Sequence, residues 1–241
     1  MEISHDSNRI IQGLWIGPEL STMEQLSISS FLSNGHEYHL YTYGELKNIP
    51  PGTIVKDGNE ILPAASIFQY KHQASYAGFA NFFRYKLLLE RGGWWADTDM
   101  VCLTPLDFPE EQIFATEMCR GEEVVTSGII KAPRGSRAMA YAWEVCQSKR
   151  PEQLIWGETG PRLIGETVTK FGLENFRKPA HVFCPIGYAD WHRVLEPGVD
   201  VDLDGAYTIH LWHERWRATG QDKDAEYPEN CLYEQLKKSR R

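Results

Sequence analysis

Asp97 and Asp99 stand one residue apart in Gly92-Gly93-Trp94-Trp95-Ala96-Asp97-Thr98-Asp99, after a long apolar run. Two carboxylates at the end of a buried strand supply the hard oxygen ligands that Mg²⁺ or Mn²⁺ prefers, and an ion held there can neutralise a phosphate. One carboxylate can take the ion while the other holds a ribose or sugar hydroxyl. The spacing alone identifies nothing, because it recurs at Asp200/Asp202, Asp202/Asp204 and Asp222/Asp224. Context separates the pairs. Asp200 to Asp204 alternate with apolar residues after Pro197-Gly198, as in a turn and an edge strand with one wet face. Asp222 and Asp224 lie in a polar, solvated stretch.

Arg84 precedes the acids on an apolar segment, where an arginine is costly unless paired. Two readings stand: a bidentate contact with a diphosphate, or an ion pair with a buried acid such as Asp97. Asn81, three residues earlier, shares its helical face. His210, in His210-Leu211-Trp212-His213-Glu214-Arg215-Trp216, is either an imidazole ligand to the ion or a core histidine behind the ligands. Trp15, at the end of the first strand, either stacks on a base or packs in the core. Of Trp94 and Trp95, which straddle a strand, one is expected in the core and the other at the site. Asn81 and the segment Gly157-Glu158-Thr159 are the candidates beside the reacting centre, with Glu158, Trp212 and Trp216 on the acceptor side.

The elements that must position these groups alternate strand and helix, which predicts an α/β fold with a parallel sheet. Strands are expected at residues 10–16, 37–43, 94–96, 101–103, 112–116, 124–132, 181–185 and 207–212. The helix over 78–91 has Phe79, Phe83 and Leu87 on one stripe and is stopped by Gly92. Other helices are expected from Ser21 or Thr22 to about Leu32, and over 136–149, 160–171 and 229–238. Pro161 suits a first helical turn. Residues 44–75 read as irregular. No internal repeat and no linker divides the chain.

The 241 residues carry a net charge of −8, which disfavours nucleic acid as a partner but permits a nucleotide if a cation intervenes. No apolar run reaches the roughly 20 residues of a membrane span. The polar segment Met1 to Arg9 does not read as a secretory signal. Five widely spaced cysteines without a Cys-x-x-Cys pair predict reduced thiols and a cytoplasmic location. The tail Lys237-Lys238-Ser239-Arg240-Arg241 reads as a solubilised helix end, with at most weak contact to an anionic membrane surface.

These residues resemble glycosyltransferase family 32, the sugar-binding-region glycosyltransferases containing the Asp-x-Asp motif, and are more distantly similar to α-1,4-glycosyltransferases of capsular type and the glucosylating clostridial toxins. The most specific piece runs from Phe79-Ala80-Asn81-Phe82-Phe83-Arg84-Tyr85 to Asp99. Leu14-Trp15-Ile16-Gly17, Gly160-Pro161 and His210-Leu211-Trp212 with Trp216 support it, so the likeness spans roughly residues 10–216. It implies a single GT-A-type domain over 1–241, with a mixed, mostly parallel central sheet flanked by helices. Residues 1–105 would form the nucleotide-sugar part and 106–241 the part that completes the metal and acceptor sites. It further implies Mn²⁺ or Mg²⁺ as cofactor, a nucleotide-diphosphate sugar as donor (UDP-sugar ahead of GDP-sugar), a glycan or other hydroxyl acceptor, and retention of configuration. Trp15 maps to base stacking, Arg84 to the diphosphate, Asp97 to donor hydroxyls, Asp99 to the metal, and His210 to the histidine before the family's last tryptophan. The chain departs from the pattern at Asn81, where the family has aspartate, and at Arg215, where it has serine.

Two other functions compete. Trp95 to Val101 also fits the first motif of haloacid-dehalogenase-like phosphatases, with Asp97 as nucleophile and Asp99 as acid/base. Nearly a hundred residues precede it, however, and no Gly-Asp-x-x-x-Asp follows to supply the later acidic pair for Mg²⁺. Alternatively, eight Trp and eleven Tyr could build a carbohydrate-binding surface without catalysis.

Overall fold

The computed structural model describes residues 3–239. The chain opens with β1 (Ile10–Leu14), α1 (Thr22–Ser33), β2 (Glu37–Thr42) and β3 (Ile54–Asp57). Next come α2 (Ala77–Arg91), β4 (Gly93–Ala96) and β5 (Met100–Cys102), then the hairpin β6 (Ile113–Cys119) and β7 (Glu122–Ala132). After these follow α3 (Arg137–Gln147), α4 (Leu163–Phe171), β8 (Arg177–Lys178), α5 (Ala180–Phe183), β9 (Thr208–His210), α6 (His213–Thr219) and α7 (Leu232–Lys238).

Seven strands form one sheet in the order β3-β2-β1-β4-β7-β6-β8, and β5 pairs with β9 in a separate ribbon. The pairs from β3 to β4 are parallel, as strand-helix-strand crossovers require. β7 runs antiparallel to both β4 and β6, and β8 rejoins parallel to β6. The predicted α/β fold with a mixed, mostly parallel sheet flanked by helices is therefore observed.

Alternation along the strands divides the core in two. Trp94 and Ala96 pack with α1 and the β5–β9 ribbon, whereas Trp95 packs with α2, α3 and α4. At the start of α1, the Glu24 carboxylate accepts from Ser21 N–H and Oγ–H at 2.9 and 2.6 Å, joining the N-cap to the third helical residue. Gly92 ends α2 at φ +70°, and a Cβ there would sit 2.5 Å from the Arg134 backbone nitrogen. Only glycine permits the helix to turn this tightly into β4.

Several expectations are corrected. Residues 181–185 form no strand; Ala180–Phe183 is a turn of helix, whose backbone carbonyl at Val182 receives Tyr207 N–H. The supposedly irregular stretch 44–75 contains β3, an edge strand half open to solvent whose pattern is too polar to stand out. No strand forms around Asp200 to Asp204, where a turn closes through Asp204 N–H on Asp202. The last helix starts at Leu232, because Pro228 and the Cys231 cap precede it. The basic tail falls partly outside the described residues; within them Lys237 is tied to Glu234 at 2.5 Å and to the Ala225 carbonyl. Among the described residues no helix is long and apolar enough to cross a membrane. Among the described residues no cysteine forms a disulfide.

Candidate active site

The acids lie where β4 ends and the chain reverses. Asp97 N–H donates to the Gly128 carbonyl of β7 at 2.7 Å, which carries the strand pairing one step beyond Ala96. Met100 N–H then returns to the Asp97 carbonyl at 3.0 Å, so Asp97, Thr98 and Asp99 form a tight turn. β5 leaves this turn in register with β9, and Met100 pairs with His210. That register brings in a residue 111 positions away from Asp99 in the numbering. His210 Nε2 lies 3.3 Å from Asp99 Oδ2. Asp97, Asp99 and His210 each offer an atom within 4.8 Å of the others.

Three further features shape the corner. His213 N–H donates to Asp99 Oδ2 at 2.8 Å. Trp212 reaches this geometry with a left-handed backbone at φ +57°, a conformation that costs a bulky residue on the order of 1–3 kcal/mol. Its ring packs on His210 with centroids 3.7 Å apart. Gly128 leaves the space that His210 fills: a Cβ on it would lie 3.1 Å from His210 Cε1 and 3.6 Å from Asp97 Oδ2.

The electrostatics are those of a buried acid pair. Burial raises the Asp97 carboxyl and the neighbouring Asp99 charge adds to this, against attraction from Arg84; the net effect is upward. Burial works on Asp99 in the same direction, but attraction and hydrogen bonding to His210, with the His213 contacts, outweigh it and hold Asp99 below the ordinary carboxylate range. Asp99 is thus the anionic member of the pair. His210 Nδ1 is buried without a hydrogen-bond partner. Two carboxylates and one imidazole nitrogen form a donor set that fits a divalent cation of the Mn²⁺ or Mg²⁺ kind.

Arg84 is 3 % exposed, and each of its three side-chain nitrogens is engaged. It donates to Asp97 Oδ1 at 2.9 Å, to the Ser127 carbonyl and to the Ala80 carbonyl. This is the ion-pair arrangement of the two readings above. Trp95 Nε1–H donates to the same Asp97 oxygen at 2.8 Å while its ring is buried. Of the tryptophan pair, Trp94 is core, and Trp95, though its ring is also buried, meets the site through its N–H on Asp97. Asn81 faces Thr159 Oγ1 at 3.4 Å, beside Gly160. Trp15, half buried, donates from Nε1 to the Glu19 carbonyl and lies against His213 and Lys223. Glu158 is held by Lys149 at 2.6 Å. Trp216 is wholly buried and bonded to the Leu211 carbonyl, so it cannot touch an acceptor; its acceptor-side assignment is corrected to a core role.

Sequence reasoning missed Ser127, Gly128 and His213. Gly128 carried a signal, since a glycine inside an apolar strand marks close approach by another group. The backbone donors had none.

A cavity of about 250 Å³ opens at the carboxyl ends of β1 and β2, lined by Ile16, Gly17, Pro18, Thr42, Tyr43 and Glu45. A larger one, about 550 Å³, lies at the opposite end of the sheet around Arg91, Gly93 and Arg134, and includes none of the nominated residues. In open α/β sheets ligands bind at the carboxyl ends of parallel strands, and the smaller cavity lies at that end of the sheet, as the acids do, although none of the acids lines it.

Residues 21–118 match the family described as glycosyltransferase sugar-binding region containing DXD motif. Among solved structures, the PaToxG glycosyltransferase superposes with a TM-score of 0.53 at 16 % identity, over 69 % of this chain and 71 % of that one. The glycosyltransferase GlyE of Streptococcus pneumoniae TIGR4 (13 % identity, TM-score 0.48) matches over 96 % of this chain and 62 % of its own. The bifunctional WbbM (12 %, 0.46) matches over 98 % and 52 %. No curated protein matches the sequence. Residues 21–118 thus match a glycosyltransferase sugar-binding region that includes the Asp-x-Asp motif Asp97-Thr98-Asp99, and the chain shares the GT-A-type fold of PaToxG.

Proposed function

We propose that this glycosyltransferase moves a hexose from a nucleotide-diphosphate sugar, a UDP-sugar ahead of a GDP-sugar, to a hydroxyl of a glycan or other acceptor. The observation that carries the reading is the convergence of Asp97 and Asp99, inside the segment matched to the sugar-binding region, with His210 from beyond it. These three residues would hold Mn²⁺ or Mg²⁺. When bound, the ion supplies positive charge to the leaving diphosphate.

The chain's own residues do the rest. Asp99, kept anionic, is the stronger donor of the acid pair. Arg84 and the Trp95 N–H hold Asp97 Oδ1 and leave its other oxygen free for the ion or a donor hydroxyl. Arg84 acts as a positioning residue whose charge also adds to the field at the diphosphate. The base would enter the cavity at the ends of β1 and β2, whose lining begins at Ile16, next in sequence to Trp15. The acceptor hydroxyl attacks on the face from which the diphosphate departs, its proton passing to the departing phosphate, and configuration is retained. Residues 1–105 form the donor half, and 106–241 contribute His210 and the acceptor side. A cytoplasmic location is part of this reading, from five widely spaced cysteines without a Cys-x-x-Cys pair.

Titration calorimetry of UDP and GDP, with and without Mn²⁺, tests this. Metal-dependent binding of one nucleotide, lost by about a hundredfold or more in Asp99→Asn, is the expected result for removal of a ligand to the ion. Equal binding by wild type and Asp99→Asn would overturn it.

A further inference from the structure

Ile155 and Trp156 are 63 % and 36 % exposed, two large apolar side chains in succession on a surface loop. Nothing in the packing of the fold requires this. Exposed apolar surface next to a polar site marks a place where a ligand lands. The loop is built to hold its shape. Glu158 accepts from Ile155 N–H at 3.2 Å and pairs with Lys149, and Gly157 turns the chain at φ +76°. The Trp156 ring packs against Tyr70, with centroids 5.0 Å apart. Tyr70 is buried under Gly78 of α2, and its Oη has no hydrogen-bond partner.

This loop runs directly into the wall of the acid site. Tyr85 Oη–H donates to the Thr159 carbonyl at 2.8 Å. A Cβ on Gly160 would lie 3.2 Å from Asn81 Nδ2 and 3.4 Å from Ser127 Oγ. Ser127 in turn receives Arg84, which holds Asp97. Trp156 is therefore four residues from the wall of the site, whereas Trp15 lies at the end of β1 beside the base cavity.

We propose that Trp156, backed by Tyr70, is the platform on which a pyranose ring of the acceptor stacks, which makes it a specificity-determining residue of the transfer. The inference rests on the glycosyltransferase reading above. A pyranose presents an apolar C–H face and a rim of hydroxyls. An indole ring offers a rigid apolar face of matching size with few rotatable bonds to order. Stacking there leaves the rim hydroxyls free for polar partners.

Saturation-transfer NMR with methyl α-D-glucopyranoside, methyl α-D-galactopyranoside and methyl α-D-mannopyranoside reads the platform directly. Calorimetry of UDP and GDP with Mn²⁺ on the same proteins reads the donor site. Wild type is expected to give ring-proton signals from at least one glycoside. Trp156→Ala should weaken that binding about tenfold, the equivalent of roughly 1.4 kcal/mol, and Trp156→Phe should restore most of it, with nucleotide binding unchanged in both. Three results would overturn the proposal: no glycoside signal from wild type, equal signals from wild type and Trp156→Ala, or loss of nucleotide binding in Trp156→Ala. The first would point to a non-sugar acceptor and the last would move Trp156 into the donor site. If no nucleotide binds to any of the proteins while the glycoside signal still depends on Trp156, the donor reading fails and the sugar platform stands.

Discussion

His210 shows how much a single residue here depends on its neighbours. Its ring is fixed by Trp212 on one side, Asp99 at Nε2 and the bare backbone of Gly128. Adding one methyl group at Gly128 tests that arrangement. In Gly128→Ala the new Cβ would approach His210 Cε1 to 3.1 Å, and packed surroundings give only a few tenths of an ångström. The ring must tilt, so Mn²⁺-dependent nucleotide binding should weaken about tenfold, as when groups that orient metal ligands are disturbed. The overpacking itself should cost about 1–3 kcal/mol of stability. Calorimetry and urea denaturation on the same variant check both numbers, and undiminished metal-dependent binding would remove His210 from the ligand set. Asp99→Asn is the sharper change, since it removes a charge rather than displacing one.

At the scale of elements, the α2–β4 junction places the acids. α2 carries Asn81 and Arg84, and the tight turn at Gly92 sets the distance from Arg84 to Asp97. Gly92 combines a positive φ with a Cβ position 2.5 Å from the Arg134 nitrogen. Gly92→Ala should therefore lose about 3 kcal/mol, from backbone strain together with displacement of neighbouring backbone. Urea unfolding followed by circular dichroism measures this; a loss below about 1 kcal/mol would mean that the junction relaxes at little cost. The second decisive contact is β5 with β9, a three-residue ribbon whose register sets His210 beside Asp99. Such a ribbon is too short to stand alone and is held by the core behind it, where Met100, Val101, Cys102, Ile209 and Leu211 are buried.

At the scale of the whole molecule, distant segments are tied by buried polar groups, and these make stability depend on pH. His36 is buried between two stretches of chain. Leu106 N–H donates to its Nε2 at 3.0 Å, so Nδ1 carries the proton and donates to the Asn8 carbonyl at 2.9 Å. The folded protein holds a neutral ring. Burial lowers its affinity for a proton, against the Asn8 carbonyl and the charge of Asp107, which favour protonation. The unfolded chain binds the proton at the ordinary value of about 6.5. Between that value and the lower folded value the unfolded state holds more protons, so stability is full above pH 6.5 and falls as pH drops below it. The limiting slope is about 1.4 kcal/mol per pH unit. His36→Gln removes this titration. The stability advantage of wild type over His36→Gln should therefore shrink by about 1 kcal/mol between pH 7.5 and 5.5, as followed by urea unfolding at each pH. A constant difference would mean that His36 does not titrate differently in the two states.

The α/β class, the helix over 78–91 and the Asp97/Asp99 turn were legible in the sequence because each rests on local signals: a 3.6-residue stripe, a glycine stop, and acids at the end of an apolar strand. β3 and the turn of helix at Ala180–Phe183 were not, since the first is a polar edge strand and the second takes its form from packing. The sequence by itself determined which residue types could meet a cation and a phosphate. Only the tertiary structure decided that Arg84 is committed to Asp97, that Trp216 is core, and that Gly128 clears space for His210. Those outcomes depend on contacts such as Arg84 with Asp97 and Gly128 with His210, 13 and 82 positions apart. Side-chain burial and cross-strand register are properties of the packed sheet, and no local pattern of the chain encodes them.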